Sequence, residues 1–545
     1  MPSESLRWSC PRAWLSDPVH STGGARLLHL QSRLREGLEV LLRFHRAGRP
    51  YHLEISTDRT RSWGEDIAAF VRLKAPSTCP VRSVAAPHHH ELRGSAEAAG
   101  LLADTHGGII VLDVGALSRP SWLACAEALL TGHSRGRDSD DLPVGPARPA
   151  TLSFVLVGPE VELRKFRDRH PEAARLFPRR LVTEPDLPRE RESVAQIAGL
   201  LLDGAKDLGL KGIGLPALAH LIEEASGRRS RRGRLTTHLD ELTEAIGEAG
   251  IGRSTKLAKP ALVAALASIR GRRDGLESYA RSRVVEELLA VECEGAVRGV
   301  VNGLMVYGSA RQAYCMPGRL SARISAGREG IINIEREAKY SGSSFDKGVF
   351  QLAAWLRGKF GHRKALSFAA TLTFEQSTSK VDGNSATLAE SLAVLSALSG
   401  VPANQGIAVS GALSQRGHVL PIGSVNLKVE GWWKTCKAKG ATGRQGVLIP
   451  SRNIGDLQLP QEIVDDIESG QFHLWAADTV EDAVDVVLGK SAGKRLKRGG
   501  WTKGSVYQRS ALHLSLLSPR QKKATTPQKT ARPSDGKKGK KPASQ

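Results

Sequence analysis

Two runs of uninterrupted apolar residues constrain the fold of the first part of the chain most strongly. GGIIVLD occupies residues 107–113 and LSFVLVG occupies residues 152–158, and helical apolar spacing follows each run. Strands that are apolar along their whole length are typical of a parallel sheet covered by helices on both faces. A third strand, YHLEIS at residues 51–56, lies between helical stretches at 30–45 and 65–73. Strands that alternate with helices in this way predict an α/β unit with a parallel sheet.

The rest of the chain shows three further patterns. Helical apolar spacing dominates residues 191–275, interrupted by GRRSRRGR, and predicts a small all-helical unit. Residues 276–489 combine strand-like segments such as VVNGLMVYG with several helices, which predicts an α+β domain. Residues 490–545 are rich in Lys, Pro and Ser and contain few large apolar residues towards their end, so we expect a disordered tail. The α/β domain takes residues 26–190, and residues 1–25 stay unassigned.

The net charge of +22 belongs mostly to the tail. Residues 490–545 hold sixteen Lys and Arg and one acidic residue, Asp535, so the charge of the remaining chain is ordinary for its length. Such a tail is either a solvated appendage or a segment that neutralises nucleic-acid phosphates without sequence preference. In the second case Trp501 and Tyr507 would be available to stack on bases.

Nothing in the sequence predicts secretion, a membrane span or a metal site. Neither an apolar signal segment nor a run of about 18 apolar residues occurs, so we expect a cytoplasmic protein without a membrane partner. His88–His90 has no further ligands at a defined spacing, which favours a surface loop over a metal site. The six cysteines are far apart and predict reduced thiols: Cys10, Cys79, Cys125, Cys293, Cys315 and Cys436.

Ser385 follows the turn Asp382-Gly383-Asn384 and opens an apolar helix. Serine at a helix start is usually an N-cap, and the stretch by itself favours that interpretation. The other interpretation is a nucleophile on a tight turn, with helix N–H groups nearby to stabilise an oxyanion.

Lys428 lies in the first turns of another predicted helix, within PIGSVNLKVEGWW. The positive end of a helix disfavours a second positive charge, and this lowers the pKa of a lysine, particularly in a dry site. A neutral lysine amine can take the proton of a serine hydroxyl. A solvated surface lysine is the other interpretation, which position alone favours.

Three stretches follow one another at a specific spacing: FEQSTSKVDGNSATLAESLAVLSALSG, NQGIAVSGALSQRGHVLPIGSVNLKVEGWW and GATGRQGVLIPSRN. With these stretches, residues 295–489 resemble the proteolytic domain of the Lon proteases, in particular the archaeal-type and Lon-related bacterial branch. The resemblance implies a serine endopeptidase that uses a Ser–Lys dyad without a histidine. The serine of the family falls on Ser385 and its lysine on Lys428.

The resemblance also implies supporting residues. Ser410 keeps the hydroxyl that the family places near the lysine, and Asp382 and Glu375 match acidic positions of the branch. Two residues depart from the pattern, because Asn384 replaces the usual acidic residue before the serine and Ser424 replaces a glycine before the lysine helix. Both leave the dyad intact, and Ser424 affects how closely the lysine helix approaches.

Lon-type chains couple this domain to an AAA+ ATPase and assemble into rings, hexameric in relatives. The resemblance of residues 26–275 to an AAA+ module and its helical lid is mostly architectural, and GxxxxGK[ST] does not occur in the sequence. After the strand YHLEIS the loop STDRTRSWG has Ser62 or Trp63 about where the phosphate-binding lysine belongs, and glycines to wrap a phosphate are missing. The resemblance therefore implies ATP and Mg²⁺ as cofactors, whereas these residues argue against their binding.

The remaining nucleotide-site positions are only partly kept. Asp113 ends a strand similar to Walker B, with Val114 where a glutamate usually activates water. Arg179 or Arg180 lies near an arginine-finger position, and Arg232 matches the start of the sensor-2 helix, although its arginine-rich run is also typical of a solvated loop.

Two functions follow from the sequence. The first is a serine endopeptidase that cleaves protein or peptide substrates with little or no dependence on ATP and requires no cofactor. The second is a catalytically weak scaffold of the same family that binds nucleic acid or protein through its basic tail. The retained pair Ser385 and Lys428 favours the peptidase.

Overall fold

The structure, a computed structural model, describes residues 6–20, 30–57, 63–85, 101–105, 107–114, 123, 126–127, 129–130, 152–227, 233–252, 255–308, 313–361, 366–377 and 379–517. The chain folds into a mixed α/β structure with two larger sheets. His88–His90 and Cys125 lie outside the described residues.

The first sheet has five parallel strands with helices packed on it. The strands are β1 (Leu53–Thr57), β2 (Val81–Ala85), β3 (Ile109–Asp113), β4 (Ser153–Pro159) and β5 (Arg179–Val182). They lie in the order β2-β3-β4-β1-β5, with neighbours parallel. The helices are α1 (Ser32–Arg46), α2 (Gly64–Lys74), α3 (Leu101–Asp104), α4 (Glu160–Arg169) and α5 (Pro171–Ala174). Burial of β1 and β3 along their whole length confirms the prediction of a covered parallel sheet.

A helical unit follows and has its own apolar core. Its helices are α6 (Arg191–Asp207), α7 (Leu215–Ala225), α8 (Asp240–Gly250) and α9 (Lys259–Arg273). The prediction of an all-helical unit is wrong in one place, because β7 (Arg234–Thr236) pairs antiparallel with β6 (Asp186–Pro188). Arg234 Nε donates to Asp186 Oδ1 at 2.6 Å, so polar residues of the arginine-rich region join a strand pair instead of extending a helix.

The second sheet has seven strands of mixed direction, in the order β11-β12-β10-β9-β14-β17-β18. These strands are β9 (Val300–Tyr307), β10 (Tyr314–Ser325), β11 (Gly330–Asn333), β12 (Ala369–Phe374), β14 (Ile407–Val409), β17 (Gly446–Pro450) and β18 (His473–Ala477). Two short pairs lie beside them: β8 (Ala296–Val297) with β13 (Ala403–Asn404), and β15 (Ala412–Leu413) with β16 (Val419–Leu420).

In the described residues, several helices accompany the second sheet. They are α10 (Gly275–Val285), α11 (Ile334–Glu337), α12 (Ser343–Phe360), α13 (Thr387–Ser399), α14 (Val425–Lys439), α15 (Gln461–Glu468) and α16 (Val480–Val487). All thirteen residues of α13 are buried, so this helix runs through the middle of the core. The predicted mixture of strands and helices over residues 276–489 is confirmed as a pattern, with α10 crossing the predicted boundary at residue 275.

The prediction of a disordered tail from residue 490 is wrong for residues 490–517. This segment ends in helix α17 (Val506–Leu517), which packs against α13. Tyr507 is fully buried, and its hydroxyl donates to Glu481 Oε1 at 2.8 Å, so it is not available to stack on bases. Burial of the apolar side chains of α17 stabilises this segment more than its preceding basic residues destabilise it. Residues 518–545 lie outside the described chain.

Residues 6–20 form a strap across two parts of the molecule. Leu6 is completely buried beside α14 and α15, and its carbonyl accepts the N–H of Leu459 at 3.1 Å. A few residues later, the N–H of Cys10 donates to Glu223 on α7 at 3.1 Å. The N–H of Val19 donates to the carbonyl of Ala195 on α6 at 3.0 Å. The strap therefore connects the helical unit to the unit that contains the second sheet.

In the portion of the chain that the structure describes, no helix has the length and apolar character needed to cross a bilayer.

Candidate active site

The turn before α13 is held by the carboxylate of Asp382. Its Oδ1 accepts the backbone N–H groups of Gly383 at 2.8 Å, Ser344 at 3.1 Å and Phe345 at 3.3 Å. These N–H groups, Gly383 first, hold the pKa of the Asp382 carboxyl below its usual value. Because Ser344 and Phe345 begin α12, Asp382 fastens the serine turn to the start of that helix.

Ser385 does not act as the N-cap of α13. The helix begins at Thr387, and its cap position, Ala386, has no side-chain capping bond. The carbonyl of Ser385 instead accepts the N–H of Gly411 at 2.8 Å and the hydroxyl of Ser410 at 3.2 Å. These two hydrogen bonds fix the backbone of Ser385. The residue is half-buried, and its side chain lines a cavity.

Lys428 meets this serine from the first turn of α14. Its side chain is 3% exposed, and Nζ lies 2.8 Å from Ser385 Oγ and 2.9 Å from Ser410 Oγ. Burial lowers the pKa of the Lys428 amine from 10.5 to about 8. A carboxylate is not among the hydrogen-bond partners of this amine in the described residues, so a large fraction of it is neutral at mildly alkaline pH.

Close helix packing sets the position of the lysine. Gly431 lies so near β10 that a Cβ atom there would be 2.4 Å from the carbonyl oxygen of Cys315. Only glycine at residue 431 allows α14 to lie this close to β10. Because the helix lies so close, Lys428, one helical turn before Gly431, reaches Ser385. Ser424, which precedes α14, takes a left-handed conformation with φ of 57°. A serine in that conformation costs about 1–2 kcal/mol, which explains why glycine suits this position, yet the lysine still reaches the serine.

A cavity of about 360 Å³ opens over the two side chains. Its wall is formed by the end of β9, the serine turn and the segment that precedes α14: Leu304–Tyr307, Ser379–Ala386 and Pro421–Ser424. An extended peptide can enter this cavity, and its carbonyl carbon can approach Ser385 Oγ.

The structure brings together three of the five predicted residues of this site. Ser385, Lys428 and Ser410 are in mutual contact, and Asp382 acts on the turn without touching the lysine. Glu375 lies elsewhere, with its Oε2 at 2.9 Å from Arg319 Nε.

Of the four predicted nucleotide-site residues, the structure describes Asp113 and Arg179. Ser62 and Arg232 lie outside the described residues. Asp113 ends β3 and lies against the first residue of α2, where a Cβ on Gly64 would be 3.7 Å from its Oδ2. Arg179 is paired with the first residue of β1, and its guanidinium lies 4.3 Å from the ring centroid of Tyr51. Arg179 therefore lies four residues along the strand, about 13 Å, from the end of β1 that leads into the predicted nucleotide loop.

One buried acidic residue is not among the residues predicted from the sequence. Glu390 on α13 is 1% exposed, and neither carboxylate oxygen has a hydrogen-bond partner in the described structure. Burial, with the nearby charge of Glu335, raises the pKa of the Glu390 carboxyl to about 8. The signal was present in the sequence, because Glu390 is the single charged residue in TLAESLAVLSALS.

Comparison with known proteins gives consistent matches. Residues 374–490 match the Lon protease (S16) C-terminal proteolytic domain. The chain is 30% identical over 398 residues to a Lon protease homologue of Escherichia coli K12, which covers 71% of this chain and 68% of that protein. It is 32% identical over 217 residues to a Lon protease homologue of Haemophilus influenzae, covering 39% of this chain and 36% of the relative. An archaeal Lon protease of Methanothermobacter thermautotrophicus is 27% identical over 358 residues, covering 61% of this chain and 50% of the relative.

Proposed function

The chain belongs to the Lon protease family, and from that premise we propose that it hydrolyses peptide bonds of protein substrates through Ser385 and Lys428, with little or no dependence on ATP. The observation that carries the proposal is the contact of 2.8 Å between a buried lysine amine and a serine hydroxyl that faces an open cavity. The activity and substrates of the whole chain are part of the proposal, since the chain spans only about a third to a half of two of the relatives above.

The reaction uses the two side chains in turn. The neutral amine of Lys428 takes the proton of Ser385 as Oγ attacks the peptide carbonyl carbon, and backbone N–H groups beside Ser385 stabilise the oxyanion. The lysine then gives this proton to the leaving amine as the C–N bond breaks, which leaves an acyl-enzyme on Ser385. Water, deprotonated by the same amine, hydrolyses the ester and restores the serine. Ser410 Oγ lies 2.9 Å from Nζ and orients the amine for these proton transfers.

This reaction has no step that needs a metal. Among the described residues there is no cluster of three or more His, Cys, Asp or Glu side chains that could hold a metal ion. The proposal assigns proton transfer to Lys428 and carbonyl polarisation to backbone N–H groups.

The residues at the start of α2 do not fit a nucleotide phosphate. Trp63, about where the sequence comparison expects the phosphate-binding lysine, is 3% exposed and packs in the apolar core. The carboxylate of Asp113 lies beside Gly64, and Glu65 and Asp66 occupy the first turn of the helix. These carboxylates take the place at the helix N-terminus that an anion such as phosphate prefers. These features support the proposal that hydrolysis does not depend on ATP.

A homo-oligomeric ring is also part of the proposal. It follows from family membership and is supported by large apolar side chains exposed on and between α11 and α12, namely Ile334 (40%), Tyr340 (48%) and Phe350 (57%). Analytical ultracentrifugation of the full chain tests it, and a monomer at micromolar concentration would contradict it.

The basic residues of 518–545 support non-specific nucleic-acid binding as a second proposed property. Electrophoretic mobility shifts of a DNA duplex, with and without these residues, test this property. Binding that weakens steeply with salt and disappears on truncation is expected.

The decisive test is cleavage of fluorescently labelled casein with and without ATP. We expect cleavage by the wild type at similar rates in both conditions, and no cleavage by Ser385→Ala or Lys428→Arg. Ser391→Ala is the matched control, because Ser391 is a buried serine of α13, the helix that follows Ser385, and its hydroxyl donates to the carbonyl of Leu388. No cleavage by the wild type in any condition would favour the scaffold function.

ATP dependence has its own test. Isothermal titration should give no binding of ATP at micromolar concentration. Micromolar affinity that is lost in Arg59→Ala or Asp113→Ala would refute that part of the proposal.

A further inference from the structure

The segment that follows β17 holds the residues that precede Lys428. It begins with the short helical turn Ser451–Asp456, which contains the buried Asn453. Asn453 Oδ1 accepts the N–H of Ile422 at 2.9 Å, and its Nδ2 donates to the carbonyl of the same residue at 3.0 Å. One side chain therefore fixes both backbone groups of Ile422, a wall residue of the catalytic cavity.

A second amide side chain holds the lysine helix itself. Asn426 is buried in the first turn of α14, two residues before Lys428. Its Nδ2 donates to the carbonyl of Asp456 at 2.9 Å, and its Oδ1 accepts the N–H of Gln458 at 2.8 Å. A shift of residues 456–458 therefore either breaks buried hydrogen bonds or moves the first turn of α14.

Gln458 repeats this arrangement with the strap of residues 6–20. Its Oε1 accepts the N–H of Trp8 at 2.9 Å, and its Nε2 donates to the carbonyl of Trp8 at 3.2 Å. The next residue, Leu459, is bonded to the strap as well, because its carbonyl accepts Arg7 Nη1 at 3.0 Å. The strap thus determines where residues 458–459 lie.

The same part of the strap is attached to the helical unit. The guanidinium of Arg189, which leads into α6, lies 4.5 Å from the ring centroid of Trp8. The N–H of Cys10 donates to Glu223 Oε1 on α7 at 3.1 Å. Contacts therefore run without interruption from the helical unit, through the strap, to the first turn of the lysine helix.

We propose that Gln458 and Asn426 are positioning residues, which couple the docking of the strap and the helical unit to the placement of Lys428. The inference rests on the proposed function, since Lys428 is the base of that reaction. Neither positioning residue lines the catalytic cavity, so both act on the lysine and not on the substrate. The docked helical unit then keeps the dyad in its working geometry without a nucleotide.

Gln458→Met in the full chain tests this role, because it removes both hydrogen bonds to Trp8 and nearly keeps the volume of the side chain. In casein cleavage kcat should fall about tenfold while KM changes by less than about twofold, since the cavity keeps its walls. A lysine held less firmly against Ser385 is better hydrated, which raises its pKa from about 8 towards its usual value. The pH profile of kcat/KM should therefore move to higher pH, whereas a role in stability alone would leave the profile in place.

Gln461→Met is the matched control. Gln461 is exposed, and its Nε2 donates to Asp465 Oδ1 on its own helix at 2.9 Å, so kcat and the pH profile should stay as in the wild type. Arg7→Met changes the strap instead of the segment it holds, and should move the profile in the same direction by a smaller amount. It replaces Gln458→Met as the test if that variant does not fold.

Hydrogen–deuterium exchange of the full chain follows the lysine helix without requiring cleavage. Backbone amides of residues 425–431 should exchange about tenfold faster in Gln458→Met than in the wild type, because the first turn of α14 opens more often. Amides of residues 388–395 on α13 should exchange at the same rate in both.

Three results would overturn the positioning role: a wild-type kcat in Gln458→Met, a lower kcat at an unchanged pH profile, or unchanged exchange at residues 425–431. Faster exchange there, together with a wild type that cleaves no substrate in any condition, would support the placement of the lysine helix by Gln458 and refute the proposed function alone.

Discussion

The buried amine of Lys428 predicts a specific pH dependence of peptide cleavage. Only the neutral amine can accept the proton of Ser385, and burial places its pKa at about 8. About 1% of the amine is then neutral at pH 6, about 9% at pH 7 and about 90% at pH 9. We therefore expect kcat/KM to rise roughly tenfold per pH unit below pH 7.5 and to level off above pH 9.

Initial rates of casein cleavage at low substrate concentration, from pH 6 to pH 10, measure this profile. Lys428→Arg should show no cleavage at any of these pH values, because a guanidinium stays charged. Lys437→Met is the matched control on the same helix: Lys437 is 45% exposed and lies 2.8 Å from Asp466, so its loss should leave the profile unchanged. A profile that is flat from pH 6 to pH 9, or cleavage that persists in Lys428→Arg, would refute the role of Lys428 as the base.

Substitutions at three further positions, Ser410, Ser424 and Glu390, give the remaining predictions. Ser410→Ala removes a hydrogen bond of 2.9 Å to Lys428 Nζ and should lower kcat about tenfold, whereas Ser410→Thr should keep most of the activity; equal activity of the two variants would contradict this. Ser424→Gly relieves a backbone φ of 57° and should raise the free energy of unfolding by up to about 1 kcal/mol in urea titrations, a gain that Ser424→Ala should lack. Glu390 has a pKa of about 8 in the folded chain against 4.5 for an exposed carboxyl, so its contribution to stability is present below pH 4.5 and is lost as the pH rises towards 8. Glu390→Gln should therefore gain stability over the wild type between pH 5 and pH 8, on the order of 3 kcal/mol, and a difference independent of pH would show that Glu390 is ionised in the fold.

The sequence predicts the alternating strands and helices well because burial fixes their periodicity. The two continuous apolar runs form β3 and β4, as expected. The segments around Ser385 and Lys428 are specific enough to name both residues before their distance is known. The distance itself depends on contacts far apart in the chain, such as Gly431 against Cys315, which no local pattern reveals.

Two elements were missed for different physical reasons. The strongly basic composition of residues 490–503 led to the prediction of disorder for the whole segment. The apolar residues of α17 that follow nevertheless form a helix in which Tyr507 and Leu514 are buried. The strap of residues 6–20 lacks periodicity, because it is held by single hydrogen bonds to distant elements and not by a regular face. Local sequence patterns cannot predict such contacts, since the partners are set by the rest of the fold.

The strap has a consequence for the synthesis of the chain on the ribosome. Arg7 Nη1 donates to the carbonyl of Leu459, 452 positions later, at 3.0 Å. At a translation rate of about 5–20 residues per second, roughly 20–90 s pass before this partner has been made. The hydrogen bonds of Arg7 and Trp8 to residues 458–459 therefore cannot form until nearly all of the second sheet has left the ribosome, whereas the contact of Arg7 with Glu223 can form much earlier.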